Sequence, residues 1–84
     1  MTYLWPNGQP ISVETDQPGI PRRFTWRGRI HPVQGIANRW RVDEDWWRGR
    51  IWREYFKLYT RTGLLVMVYR DLMSGQWYLQ RLYD

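Results

Sequence analysis

Arg50-Ile51-Trp52-Arg53-Glu54-Tyr55-Phe56-Lys57-Leu58-Tyr59-Thr60 decides the fold, because it fits two periods at once. Trp47, Ile51, Tyr55 and Leu58 recur at helical spacing, whereas Trp52, Phe56 and Leu58 alternate with Arg53, Tyr55, Lys57 and Tyr59 as in a half-buried strand. Aromatic and β-branched density is high, and Thr62-Gly63 follows as a hairpin turn, so we read a strand. Toward the C-terminus, Leu64 to Tyr69 is apolar on both faces, the pattern of a central strand. Asp71 to Gly75 makes the next turn, with Ser74-Gly75 at its tip. Gln76 to Tyr83 closes the sheet, Trp77 and Leu79 on one side and Tyr78 and Leu82 on the other.

Toward the N-terminus, Asp43-Glu44-Asp45 places an N-cap candidate and two acids ahead of Trp46-Trp47-Arg48. That segment fits a single helical turn before Gly49 and fits a tight acidic loop equally well. Ile36 to Val42 reads as a curved strand with Trp40 and Val42 on one face and Arg39 and Arg41 on the other, punctuated before it by Pro32 and Gly35. Earlier still, Phe24, Trp26 and Ile30 alternate with Thr25, Arg27, Arg29 and His31, and Gly28 inside that run suggests a bulge or bend. Pro6, Gly8, Pro10, Pro18 and Gly19 leave room only for a short edge strand, Ile11 to Thr15, after a loose lead-in over residues 1–9. The expected architecture is all-β: one domain over residues 10–84, an antiparallel meander of about six strands curled into an open SH3-like or OB-like barrel, with one short helical turn as an option.

The 84-residue length allows one domain, and seven Trp, six Tyr and two Phe supply the large rings that so short a chain needs for a core. With no cysteine there are no disulfides, thiolate metal sites or Cys nucleophiles. His31 is the only histidine, in a basic stretch before Pro32 and without an evident base partner, and reads as a packing or surface residue. The start of the chain has no signal-peptide pattern, and no apolar run approaches the ~20 residues of a membrane helix. The expectation is a cytoplasmic protein with no membrane partner. Twelve Arg and one Lys stand against eight acids, a net charge of +5. Guanidinium forks bind phosphate bidentately and stack on bases, although genome composition or a hot habitat also enriches arginine.

Phe24-Thr25-Trp26-Arg27-Gly28-Arg29, then Trp40-Arg41-Val42 with Trp46-Trp47-Arg48, then Arg53-Glu54-Tyr55-Phe56, and finally Tyr69-Arg70-Asp71 with Gly75, Trp77, Leu79, Arg81 and Asp84 form an ordered series. Over Pro10 to Asp84 the chain resembles a small bacterial domain family of unknown function, common in actinobacteria, whose members tend to lie beside genes for Y-family translesion polymerases and mutagenic replicative polymerases. The resemblance implies a setting in DNA-damage tolerance and assigns no chemistry to any residue. It also implies length variation between the Trp-Trp-Arg and Arg-Glu-Tyr elements, hence a loop near Arg48 to Arg50.

The interleaving of arginines with aromatics is the one pattern that carries a functional mechanism. Arg27, Arg29, Arg39 and Arg41, expected on the outward faces of two neighbouring strands, can track a phosphate backbone while exposed rings stack bases. Trp46 and Trp47 cannot both face one core from a strand, so one is expected exposed, and Arg48 and Arg50 flank them. The competing reading is a solvated sheet face whose arginines shield an edge and stack over Trp. Arg70 with Asp71 and Arg81 with Asp84 read as structural ion pairs. Asp43, Glu44 and Asp45 lack the rest of a two-metal site, and no nucleophile-base pair is present, so the expectation is no enzyme, no cofactor and no metal. Two functions remain: a module for single-stranded or damaged DNA, or an adaptor docking on a translesion polymerase or another repair protein, as a monomer or homodimer.

Overall fold

The computed structural model describes residues 2–17, 19–47 and 49–83. Six strands follow one another: β1 (Tyr3–Gln17), β2 (Ile20–Trp26), β3 (Arg29–Trp46), β4 (Gly49–Thr60), β5 (Leu65–Asp71) and β6 (Trp77–Tyr83). All neighbours are antiparallel, and β1 pairs with β6 as well as β2, so the meander closes into a barrel where an open one was expected. Two long strands make closure possible by changing partners partway. β1 pairs with β6 through Ile11 and with β2 from Ser12 onward. β3 pairs with β2 over Arg29–Pro32 and with β4 from Val33, with register shifts on either side of Gly35. Pro32 and Gly35, which the sequence offers as punctuation, mark a bend inside one strand, because irregular residues there let it leave one partner for the next.

Period-two alternation fills the interior. Phe24 from β2, Phe56 and Leu58 from β4, Val66 and Val68 from β5, and Trp77 and Leu79 from β6 form the buried cluster. The stretch Arg50–Thr60 is strand throughout its length, as its alternation indicated. β5 lies between β4 and β6, with Val66 and Val68 buried on its inner face and Tyr69 buried on its outer one. Its outward Tyr69 is buried because it belongs to a ladder of rings, Trp40, Tyr55, Tyr69 and Tyr78, with successive centroids 5.3, 5.2 and 5.1 Å apart across four strands.

Three local expectations are corrected. Residues 3–9 are no loose lead-in: they lie in β1, and Leu4 and Gln9 pair with Arg81 and Leu79, so four residues bulge out opposite Gln80. The bulge lies against the ladder, where Tyr69 donates to the Asn7 carbonyl at 3.2 Å. Gly8, with φ +74°, passes so close that a Cβ there would sit 2.7 Å from the Tyr78 Cβ, a fit that a proline- and glycine-rich sequence conceals. Gly28 is no mid-strand bulge. Trp26 pairs with Arg29, and Arg27 (φ 52°) and Gly28 (φ 74°) form the two-residue turn between β2 and β3, the left-handed pair a type I′ hairpin requires. Asp43 to Trp46 forms neither a helical turn nor a loop but continues β3 against β4, with Trp46 paired to Gly49. The acids alternate across a two-stranded ribbon, so Glu44 faces away from Asp43 and Asp45.

Candidate nucleic-acid interface

β3 joins two regions that hold its arginines differently. At its start, the β2–β3 turn and the β4–β5 turn close one end of the barrel around a cleft of about 290 Å³ lined by Trp26, Arg27, Arg29, His31, Thr62 and Leu64. The Arg27 guanidinium lies 4.7 Å from the Trp26 ring centroid, and Arg29 is exposed. His31 forms the floor, buried against Phe24, with its Nδ1 2.8 Å from the Thr62 hydroxyl, which in turn meets the Thr60 hydroxyl at 2.8 Å. Burial first, and the Arg29 charge second, hold the His31 pKa below the usual histidine range, so the ring is neutral at pH 7. A second, more polar cleft of about 350 Å³ adjoins the same β4–β5 turn, lined by Arg22, Arg23 and Arg61 together with Asp16, Pro32 and Val33. The Arg61 amide donates to the Pro32 carbonyl at 2.9 Å, which fixes this turn beside β3. Arg22 pairs with Asp16 and Arg23 with Glu14, both in solvent, whereas Arg27, Arg29 and Arg61 form no ion pair among the described residues.

At its other end β3 leaves the barrel. Pairing with β5 stops at Arg53, and beyond it Asp43–Trp46 and Gly49–Trp52 continue as a two-stranded arm. Directly paired residues share a face, so Arg39, Arg41, Asp43 and Asp45 stand with Phe56, Glu54, Trp52 and Arg50 on the continuation of the inner surface. Glu54 is 4% exposed and its Oε2 accepts from Arg39 Nε at 2.9 Å and Arg41 Nε at 3.3 Å, with Arg39 Nη2 2.8 Å away. Arg50 forms a fork on Asp43, at 3.0 and 2.9 Å, lies 3.9 Å from Asp45 and stacks over Trp52. That hydrogen-bonded fork holds the Asp43 carboxyl below, and the Arg50 guanidinium above, its usual range. On this face of β3 and β4, running from the barrel out along the arm, Arg39, Arg41 and Arg50 are thus each committed to a carboxylate.

The residues that the sequence nominated therefore do not form one site. Arg27 sits in a turn, and Arg29, Arg39 and Arg41 share the single strand β3 rather than two neighbours. Arg29 and Arg39 are ten residues, roughly 30 Å of extended chain, apart. Arg27 and Arg29 meet at the barrel end, whereas Arg39, Arg41 and Arg50 are committed to carboxylates. Trp47, 86% exposed, stands in the turn of the arm. The Trp46 side chain and Arg48 lie outside the described residues, as does the expected Arg81 to Asp84 pair. Arg70 stacks 5.9 Å from Trp77 instead of pairing with Asp71, whose carboxylate accepts from the Met73 amide. Sequence reasoning overlooks Arg61 and Trp26 as site residues: Arg61 reads as an ordinary turn residue and Trp26 as core, and only the closing of the barrel brings them beside Arg27 and Arg29.

No solved structure matches the chain. Protein ImuB from two strains of Caulobacter vibrioides is 31% identical to it over 89 residues, which cover 87% of this chain. The chain spans 19% of the length of these curated relatives. A family model described as a domain of unknown function, DUF6504, matches residues 6–84, nearly the whole chain, and the protein belongs to that family.

Proposed function

We propose that the chain is a non-catalytic binding module of the cytoplasm that holds the phosphate backbone of single-stranded or damaged DNA at the barrel end. The observation that carries this reading is the gathering of Arg27, Arg29 and Arg61, none held by a carboxylate among the described residues, around adjoining clefts beside Trp26. Guanidinium groups without an internal acid keep their full attraction for phosphate, and a neighbouring ring offers a base a surface to stack on. The backbone adds support. Arg27 occupies a left-handed position that Asn or Gly fills at less cost, so a cationic side chain is kept there against local preference. Similarity to ImuB, with the resemblance to domains encoded beside translesion polymerases, supports a setting in DNA-damage tolerance.

Titration of a labelled single-stranded oligonucleotide at two ionic strengths tests the reading. The unmodified chain should bind at low salt and weaken steeply as salt rises. Arg27→Ala/Arg29→Ala/Arg61→Ala should flatten the log-log salt slope by about 2, given roughly 0.7 for each phosphate neutralised on a single strand. No binding at low salt, or an unchanged slope in the triple variant, overturns it. A second reading, an adaptor for a repair polymerase, is favoured by the exposure of Trp47 on the arm. It requires salt-tolerant association that Trp47→Ala abolishes.

A further inference from the structure

The outer edge of β3 is written as its own complement. From Val33 to Trp46, β3 pairs with β4 on one side and, among the described residues, with no strand on the other. An edge of this length is a template for strand addition unless something blocks it. Its charges are sorted about Val42. On one side two cations, Arg39 and Arg41, share one carboxylate, Glu54. On the other side two carboxylates, Asp43 and Asp45, share one cation, Arg50. On the face that carries these four residues, internal pairing therefore leaves one surplus positive charge before Val42 and one surplus negative charge after it. A block of a single sign would repel a second copy, and this arrangement does the reverse.

We infer that a second copy of this chain docks here, β3 against β3, antiparallel, with the two-fold axis at Val42. In that register Arg41 stands opposite Asp43 of the other copy and Arg39 opposite Asp45, all on one face, and each surplus charge meets its opposite twice over. A register shifted by two residues along β3 sets Arg41 or Asp43 against its own copy and leaves two attractive pairs instead of four, so the charges favour the alignment about Val42. This inference is independent of the DNA reading, because the arginines proposed for phosphate lie at the other end of β3.

The chain has no cysteine, so single-cysteine variants report the axis cleanly. Directly opposed residues of an antiparallel pair have Cα atoms about 4.5–5.5 Å apart, within disulfide range. Val42→Cys should therefore form a disulfide-linked dimer on mild oxidation. Glu44→Cys, displaced from its own copy by about 13 Å along the strand, should not. Sedimentation of the unmodified chain should show reversible dimerisation that salt weakens. Asp43→Lys/Asp45→Lys should raise the dimer dissociation constant at least tenfold, since four attractive pairs become repulsive. A monomer at every soluble concentration overturns the inference, as does equal cross-linking at positions 42 and 44. Should Val42→Cys fail to fold, sedimentation of the unmodified and lysine-substituted chains decides alone.

Discussion

Arg27 and Arg29 stand in solvent at the start of β3 with no ion-pair partner among the described residues, whereas Arg39 and Arg41, further along the same strand, converge on one buried acid. Composition treats the four as equivalent, but the fold does not. Around Glu54, where β3 leaves the barrel, the guanidinium groups are structural, since a carboxylate so little exposed needs cations and hydrogen bonds to be tolerated at all. At the barrel end they perform no such internal task, and Arg27 sits at some cost to the backbone. What separates a structural arginine from an available one here is the acid on the neighbouring strand. Register, rather than charge count, decides that.

The sharpest break between the two regions should appear in stability. Arg39→Ala/Arg41→Ala strips both cations from Glu54 and leaves its carboxylate buried alone, which should cost about 3 kcal/mol in urea unfolding. Glu54→Gln leaves two half-exposed guanidinium groups that water can solvate, and should cost about 1 kcal/mol. Removing Arg27 and Arg29 should cost less than either. Equal losses for Glu54→Gln and the arginine pair would show that burial of the carboxylate is not what holds Arg39 and Arg41.

The strands were legible in the sequence where alternation was clean. Phe56 and Leu58 face the core as their spacing indicated, and Val66 with Tyr69 shows why β5 reads as apolar on both faces. The N-terminal strand was not legible: Pro6 and Gly8 look like breakers, and only the surface of Tyr69 and Tyr78 explains why the chain bulges there and stays in register with β6. Asp43-Glu44-Asp45 misled for a related reason. Three acids before an aromatic pair satisfy a helix start, and the cross-strand partner Arg50 that makes them a ribbon lies beyond the turn. The site was half legible. Arg27 and Arg29 could be named from arginine-aromatic interleaving, but Arg61 joins them only through closure of the barrel, which no local pattern encodes.

Acid should separate the regions next. The folded state holds the His31 pKa down, so the unfolded chain binds the extra proton first and stability falls as pH drops below about 6.5. The loss levels off once pH passes below the folded-state value. Asp43 on the arm has the opposite origin, a carboxyl held down by Arg50, and its contribution persists until pH falls below the ordinary aspartate range near 3.8. Thermal unfolding between pH 7.5 and 5 should therefore show a decline in the unmodified chain that is shallower in His31→Gln. An identical decline in both would remove the barrel end as its source.

The finest distinction concerns Arg27 itself. Asn tolerates the left-handed region better than Arg and is favoured in type I′ turns, so Arg27→Asn relieves backbone strain of about 1 kcal/mol. It also forfeits the stacking on Trp26, which is worth about 0.5–1 kcal/mol at an exposed site. The two effects nearly offset, so stability should stay level or rise by about a few tenths of a kcal/mol. Oligonucleotide affinity at low salt should fall, and the salt slope should drop by about 0.7 because one guanidinium no longer neutralises a phosphate. A variant that folds as well and binds less would show that the turn gives up local preference for a cation. If instead it unfolds more easily and binds as before, Arg27 is held by Trp26 for the barrel's own sake, and the contrast with Arg39 and Arg41 narrows to Arg29 and Arg61.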